Sequence, residues 1–216
     1  MIRLFSRPAL PRLSNASTLA RVYDAAAAGW QDGIRRLGFG AAYARLVSSA
    51  VPPDAGAGTV LDVGTGTGAL AQAYVARFGM PEHLSLMDIS EEMLNLASDH
   101  LPGANTIQAR LGASLPHLPG QHVVLCAHVV EHCDDPQIAL RWLFERLMPG
   151  GQLVLAVSKP HWCTALVRWR WGNAAYPPAL VADMLASAGF ENISVVPFQN
   201  GPPSRVSCGY TATRPD

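Results

Sequence analysis

The chain lacks net charge. Its 16 Lys and Arg balance 16 Asp and Glu across 216 residues, and charged residues make up only 15%. Such a chain has no global field to gather nucleic acid or an anionic membrane. No basic stripe or RNA-recognition insert stands out, which argues against a nucleic-acid partner. No apolar run approaches the roughly 20 residues needed to cross a bilayer. Cysteine is scarce: Cys126, Cys133, Cys163 and Cys208 form no CxxC pair and no secreted framework. They read as packing thiols of a reducing compartment, so a cytoplasmic location is expected. His128, His132 and His161 with Cys133 match no zinc-ligand spacing, so no metal is expected. No internal repeat is present.

What is there divides into three stretches. Residues 1–16 read as a flexible basic arm. Arg3, Arg7 and Arg12 lie in it, Arg21 follows, and no acid precedes Asp24. Pro8 and Pro11 interrupt any early helix. A frayed terminus is the simple reading. The segment also resembles a transit peptide or a surface-binding arm, and its composition allows a weak membrane-surface contact, because basic side chains lie near Leu4, Phe5 and Leu10. Residues 17–58 read as a helical cap and linker. Val22, Tyr23, Trp30, Ile34, Leu37, Tyr43, Leu46 and Val47 fall near helical spacing, Gly38 and Gly40 break the run, and "VPPDAGAG" (51–58) is the linker.

Residues 59–216 read as one α/β domain. Strands are expected at 59–63, 83–89, 105–109, 122–129 and 152–158. Helices are expected at 69–79, 90–101 and 136–148, the last stopped by Pro149-Gly150-Gly151. Ser90 followed by Glu91 and Glu92 is a strong helix start. Strands alternating with helices predict βαβ units and a mostly parallel sheet covered on both faces. The tail differs: a helix at 177–190, then two strand-like runs, 191–199 and 204–214, joined by "NGPP". These read as an antiparallel C-terminal hairpin at one sheet edge.

"LDVGTGTGAL" (61–70) holds the chemistry. A strand that turns into a helix leaves unpaired N–H groups at the helix start. Glycines there let the backbone come close to a polar or anionic ligand. No Lys follows Gly68, so this is not a GxxxxGK[ST] phosphate loop. Gly64, Gly66 and Ala69 loosely satisfy a dinucleotide fingerprint. Asp88 lies 20 residues after Gly68 at the end of the next strand, where a carboxylate accepts ribose hydroxyls. Asp62, two residues before Gly64, suits a ligand with a positive end and would repel a pyrophosphate.

"VLDVGTGTGAL", "LMDISEEML", "LCAHVVEHCDDP" and "RLMPGGQLVLAV" resemble, in order and spacing, the motifs of class I S-adenosylmethionine-dependent methyltransferases. The resemblance is strongest to the small-molecule branch that includes the ubiquinone and menaquinone C-methyltransferases, and it covers residues 59–158. "ARVYDAAAAGW" resembles that branch's opening segment more loosely. The resemblance implies a Rossmann-like seven-stranded sheet, mostly parallel, with the last strand inserted antiparallel and an N-terminal helical cap. It implies S-adenosylmethionine as cofactor, with Gly64, Thr65, Gly66 and Gly68 around its methionine and ribose. Asp62 would face the methionine amine, Asp88 the ribose, and Ile89 and Met93 the adenine. Cys126, Ala127 and His128 would lie beneath the sulfonium. Two departures stand out. The family's adenine-binding acid after the third strand is replaced by Arg110 or Leu111, which leaves backbone around Gly112 and Ala113, or Ser114, to serve the adenine. The usual "FD" entering the fourth strand is "QH" (121–122). No paired cysteines precede the motif, so cysteine-based arsenic methylation is unsupported.

Methyl transfer needs the acceptor held in line with an already activated methyl, and a base only where the acceptor carries a proton. His128 is the candidate base. Glu131 and His132 read instead as polar groups of a helix start. Tyr23, His161, Trp162 and Arg205 are candidates for the acceptor pocket, with "KPHWCTALVRWRWGNAAYPP" (159–178) as its aromatic and basic cover. A small-molecule or lipid-like acceptor is expected. The alternatives are a non-catalytic cofactor-binding protein of the same fold, or an NAD(P)-dependent oxidoreductase.

Overall fold

The computed structural model describes residues 24, 33–50, 58–161 and 174–216. The arm 1–16, most of the linker, Tyr23, Trp162 and the other tryptophans of the 159–178 stretch lie outside the described residues.

The apolar run 59–63 ends in a glycine turn that feeds the Ala-rich helix 69–78, while the run 83–88 passes through Ser90, the cap of the helix 91–100. The elements are α1 (Phe39–Ser48), β1 (Thr59–Val63), α2 (Ala69–Phe78), β2 (His83–Asp88), α3 (Glu91–His100), β3 (Asn105–Gln108), β4 (Gln121–Ala127), α4 (Pro136–Arg146), β5 (Leu147–Ser158), α5 (Pro178–Ala188), β6 (Glu191–Val196), α6 (Gly201–Val206) and β7 (Ser207–Thr213). A single 3₁₀ turn, Val130–His132, follows β4. The seven strands run in the order β3-β2-β1-β4-β5-β7-β6. β3 through β5 are mutually parallel, and β7 is antiparallel to both β5 and β6. The seven-stranded, Rossmann-like expectation is met.

Alternation along the strands builds two cores. On one face Leu61, Val63, Val124, Leu153 and Leu155 pack with Leu140, Leu143 and Leu185 of α4 and α5. On the other, Val60, Leu84, Leu86, Leu125 and Val154 pack with Leu46, Leu70 and Leu94 of α1, α2 and α3. Successive side chains of a strand point to opposite faces, so apolar runs are buried on both sides. α1 lies close on β7 because Gly209 has no side chain; a Cβ there would sit 2.7 Å from Leu46 Cδ1. Among the described residues, no helix is long and apolar enough to cross a membrane.

Several boundaries differ from the sequence reading. Gly38, at φ 87, separates α1 from the helical residues 33–37, while Gly40 lies inside α1. β4 stops at Ala127, not at residue 129, because His128 takes the left-handed conformation at φ 59. β5 starts at Leu147 instead of Gln152. Its glycines stay in the sheet because the C-terminal chain pairs there: Arg214 N–H donates to the Gly151 carbonyl at 2.8 Å, and Gly150 N–H to the Arg214 carbonyl at 3.0 Å. "NGPP" is not a tight turn. It enters the short helix α6, whose prolines sit in the first turn where no N–H is missed. That helix carries the chain back so that β7 inserts between β5 and β6. The antiparallel hairpin thus extends the sheet at its β5 edge, as expected, with its second strand against β5 and its first strand outermost.

Candidate active site

β1 leads outward to β2 and β3, while β4 leads the other way to β5. Ligands of open α/β sheets sit at the strand C-termini where the order reverses, here between β1 and β4. Asp62, the glycine loop and His128 all lie at that point.

Asp62 is buried near the end of β1. Its Oδ2 accepts the Thr65 hydroxyl at 2.7 Å. Burial pushes its carboxyl up to about 7, against the lowering effect of the Thr65 hydroxyl and the Ala71 N–H and with a further push from Asp88. Gly64 turns the chain at φ 64, and a Cβ there would lie 2.2 Å from Val129 Cγ2. Only glycine passes between the loop and the residue that follows the β4 turn. Two bonds hang the loop from β2: Thr65 N–H to the Met87 carbonyl at 3.0 Å, and Gly66 N–H to Asp88 Oδ2 at 2.9 Å.

Asp88 is the anchor of that arrangement. Its Oδ1 accepts Ser90 N–H at 3.0 Å. Each oxygen keeps a second lone pair for a ligand hydroxyl. Burial raises its carboxyl, opposed by the Ser90, Gly66 and Ile89 amides and assisted by Asp24. Ser90 caps α3 as expected, accepting Met93 N–H at 3.1 Å, and its hydroxyl also bonds Asp24 Oδ1. Asp24 had no role assigned from sequence; its contact shows that the N-terminal chain reaches the Asp88 side of the loop. Met93 is buried in the first turn of α3 and Ile89 is half-buried.

Arg110 is exposed and Leu111 packs on the core. Ala113 has both backbone groups engaged, its N–H with the Arg110 carbonyl and its carbonyl with Trp142 Nε1, each at 3.0 Å. Gly112, at φ 91, is exposed beside it.

His128 closes the other side. Its N–H donates to the Ala156 carbonyl at 2.9 Å, which ties the end of β4 to β5. Its ring meets Phe39 edge-on at 5.4 Å and Tyr43 at 6.4 Å, so α1 supplies an aromatic wall. Nδ1 lies 3.2 Å from Glu131 Oε1 and 3.3 Å from Ser158 Oγ, and Nε2 lies 3.1 Å from Ser207 Oγ. Ala127 is half-buried next to it and packs toward the α1–α3 face.

Glu131 is the residue that sequence reasoning undervalued. Its side chain is 0% exposed, and Oε1 also accepts Ser158 N–H at 2.5 Å. Burial alone would raise its carboxyl. Hydrogen bonds from His128 and Ser158 N–H, with the charge of His128, outweigh burial and hold it below the usual carboxylate range. Burial also raises Tyr43 and Cys126, both helped by the charges of Asp62 and Glu131. No signal in "VVEH" separates a buried carboxylate from a solvated one, because its partner Ser158 is 27 residues away.

His161 lies half-buried just beyond β5. Arg205 is exposed on α6; the same segment brings Ser207, and not Arg205, into hydrogen-bond reach of His128. Tyr23 and Trp162 fall outside the described residues. Among the described residues no group of three or more His, Cys, Asp or Glu is placed to hold a metal.

Comparison with known proteins agrees with this geometry. A sequence family described as methyltransferase domain matches residues 34–195. The ubiquinone/menaquinone biosynthesis C-methyltransferase UbiE of Vibrio vulnificus is 33% identical over 108 residues, which cover 47% of this chain and 42% of that protein. The ubiquinone biosynthesis O-methyltransferase of Aromatoleum aromaticum is 30% identical over 99 residues, 44% of this chain and 41% of that protein. The chain thus matches less than half the length of these curated relatives. Among solved structures, a SAM-dependent methyltransferase of Thermotoga maritima, a possible histamine N-methyltransferase, superposes with TM-score 0.72 at 17% identity, covering 91% of this chain and 99% of that one. The N-methyltransferase NodS of Bradyrhizobium japonicum, solved with S-adenosylhomocysteine, gives 0.69 at 18% identity, covering 92% and 99%. The chain belongs to the methyltransferase-domain family and has the architecture of a class I S-adenosylmethionine-dependent methyltransferase.

Proposed function

We propose that the protein transfers a methyl group from S-adenosylmethionine to a small or lipid-like acceptor in the cytoplasm. The observation that carries this reading is the glycine loop slung between two buried carboxylates, Thr65 on Asp62 and Gly66 on Asp88. Asp62 would face the ammonium of the methionine part. Asp88 would accept the ribose hydroxyls, and the loop amides of Gly64, Thr65, Gly66 and Gly68 would line the path between. Ile89, Met93, Gly112 and Ala113 would border the adenine, with Ala127 and His128 under the reacting centre. A buried carboxylate suits an ammonium and disfavours a dinucleotide pyrophosphate, which supports the methyl donor over a nicotinamide cofactor.

The bound cofactor supplies a methyl on a sulfonium. The chain's own contribution is to hold the acceptor in line and to exclude water, which accounts for much of the barrier in such transfers. Phe39 and Tyr43 beside the His128 ring would favour an aromatic or apolar acceptor, and His128 would take its proton. The names of the relatives, which act in ubiquinone and menaquinone biosynthesis, agree with an aromatic acceptor.

The test is turnover. Purified protein is incubated with S-adenosylmethionine and panels of phenols, quinols and amines, and S-adenosylhomocysteine is quantified. Acceptor-dependent product that falls in Asp88→Ala supports the reading. Saturable cofactor binding with no turnover on any panel member would favour a non-catalytic binder of the same fold.

A further inference from the structure

His128 sits in a chain of hydrogen bonds that fixes where its proton lies. Glu131 is fully buried, the hydrogen bonds from His128 and the Ser158 N–H hold its carboxyl below the usual range, and a carboxylate only accepts. Its Oε1 is 3.2 Å from Nδ1, so Nδ1 carries the hydrogen. The neutral ring then keeps its lone pair on Nε2. Opposite Nε2 stands Ser207 Oγ at 3.1 Å, which also lies 3.2 Å from the Val157 carbonyl. One hydroxyl hydrogen thus has two acceptors. The ring is held by these bonds and by a left-handed backbone at φ 59, a conformation that a non-glycine residue keeps where its neighbours enforce it. It is nevertheless 26% exposed.

We propose that Glu131 is the positioning residue that makes His128 Nε2 the proton acceptor for a hydroxyl-bearing acceptor, and that Ser207 is the placeholder on that nitrogen. The inference rests on the methyl-transfer reading and narrows its acceptor class to molecules that lose an O–H proton, such as phenols. Before the acceptor enters, Ser207 donates to Nε2. When an acceptor hydroxyl arrives, Ser207 turns its hydrogen to the Val157 carbonyl and frees the lone pair. The acceptor oxygen then forms its bond to the methyl carbon, and the sulfur keeps the electron pair of the broken S–C bond. The O–H proton passes to Nε2. The resulting imidazolium is neutralised by Glu131, which explains why a carboxylate is kept buried beside it. The proton leaves to solvent over the exposed part of the ring.

The test is the ring's tautomer, read from two-bond ¹H–¹⁵N correlations of the ¹⁵N-labelled full chain, with and without S-adenosylhomocysteine. At a pH where the ring is neutral, the wild-type protein should show a protonated Nδ1 and an unprotonated Nε2. Glu131→Met should release that tautomer, whereas Glu131→Gln, which keeps an acceptor oxygen, should retain it. Titrating phenol into the S-adenosylhomocysteine complex should move the Nε2 resonance and leave Nδ1 in place. A wild-type ring protonated on Nε2 overturns the proposal without any variant. So does an unchanged tautomer in Glu131→Met, or an Nε2 resonance that phenol does not move. Absence of S-adenosylhomocysteine binding would instead strike the methyl-transfer reading, since the tautomer is also read on the free chain.

Discussion

Asp62 should make cofactor binding proton-linked. Burial raises its carboxyl from the ordinary 3.8 to about 7 in the folded protein without ligand. A carboxyl raised by folding favours the folded state most below its unfolded value, and that contribution is lost as pH rises from near 4 through 7. At 1.36 kcal/mol per pH unit, the gap amounts to about 4 kcal/mol of stability that the free protein gives up by pH 8. An ammonium placed on Asp62 reverses the preference, because it favours the charged carboxylate. Binding at pH 6 should therefore release about 0.9 proton and at pH 8 about 0.1, and affinity should rise roughly tenfold between them. The assay is calorimetric titration with S-adenosylhomocysteine in buffers of different ionisation enthalpy. Asp62→Asn should abolish the proton release and flatten the pH dependence. Equal dissociation constants at pH 6 and 8 in the wild-type protein, with no proton released, would refute the reasoning about Asp62.

Four further outcomes follow from the same geometry. Gly64→Ala combines a left-handed backbone with a Cβ 2.2 Å from Val129; strain plus overpacking of about 2–5 kcal/mol should show in urea melts, with cofactor binding lost. Asp88→Ala leaves the Gly66 and Ser90 amides unpaired, which should weaken S-adenosylhomocysteine binding by about 1–3 kcal/mol, or roughly 5- to 150-fold in calorimetry. Leu46→Ala removes a fully buried side chain between α1 and β7 and should cost about 2–5 kcal/mol in denaturant midpoints. Ser90→Ala should cost about 1 kcal/mol through loss of the α3 cap, read by thermal unfolding.

The parts of the site that sequence exposed are those with local causes. Ser90 announces α3 because a cap is decided within three residues, and the glycine loop announces itself because a strand-to-helix turn needs its special backbone within one loop. Asp88 was legible from spacing, since the length of one βα unit fixes where the next strand ends. The two cores were legible as apolar runs, because strands buried on both faces have no polar side. What sequence hid depends on distant partners. The pairing that sets β7 between β5 and β6, such as Leu155 with Tyr210, is encoded by no local pattern, and only the family resemblance implied it. Gly201–Val206 looked like a turn because proline and glycine cluster in both turns and first helical turns. His128 and Ser207 are 79 residues apart and meet only because the strand order brings β4, β5 and β7 side by side. That the Ala113 carbonyl is already committed to Trp142, 29 residues on, shows only in the folded chain.

The central claim is that Asp62, the glycine loop and Asp88 together form a cradle for the methyl donor. The most direct measurement is calorimetric titration of the full chain at pH 8 with S-adenosylhomocysteine and, separately, NADH, for the wild-type protein and Asp88→Ala. The account predicts saturable S-adenosylhomocysteine binding that weakens in the variant, with no heat from NADH. Saturable NADH binding, or S-adenosylhomocysteine binding untouched by Asp88→Ala, would contradict it.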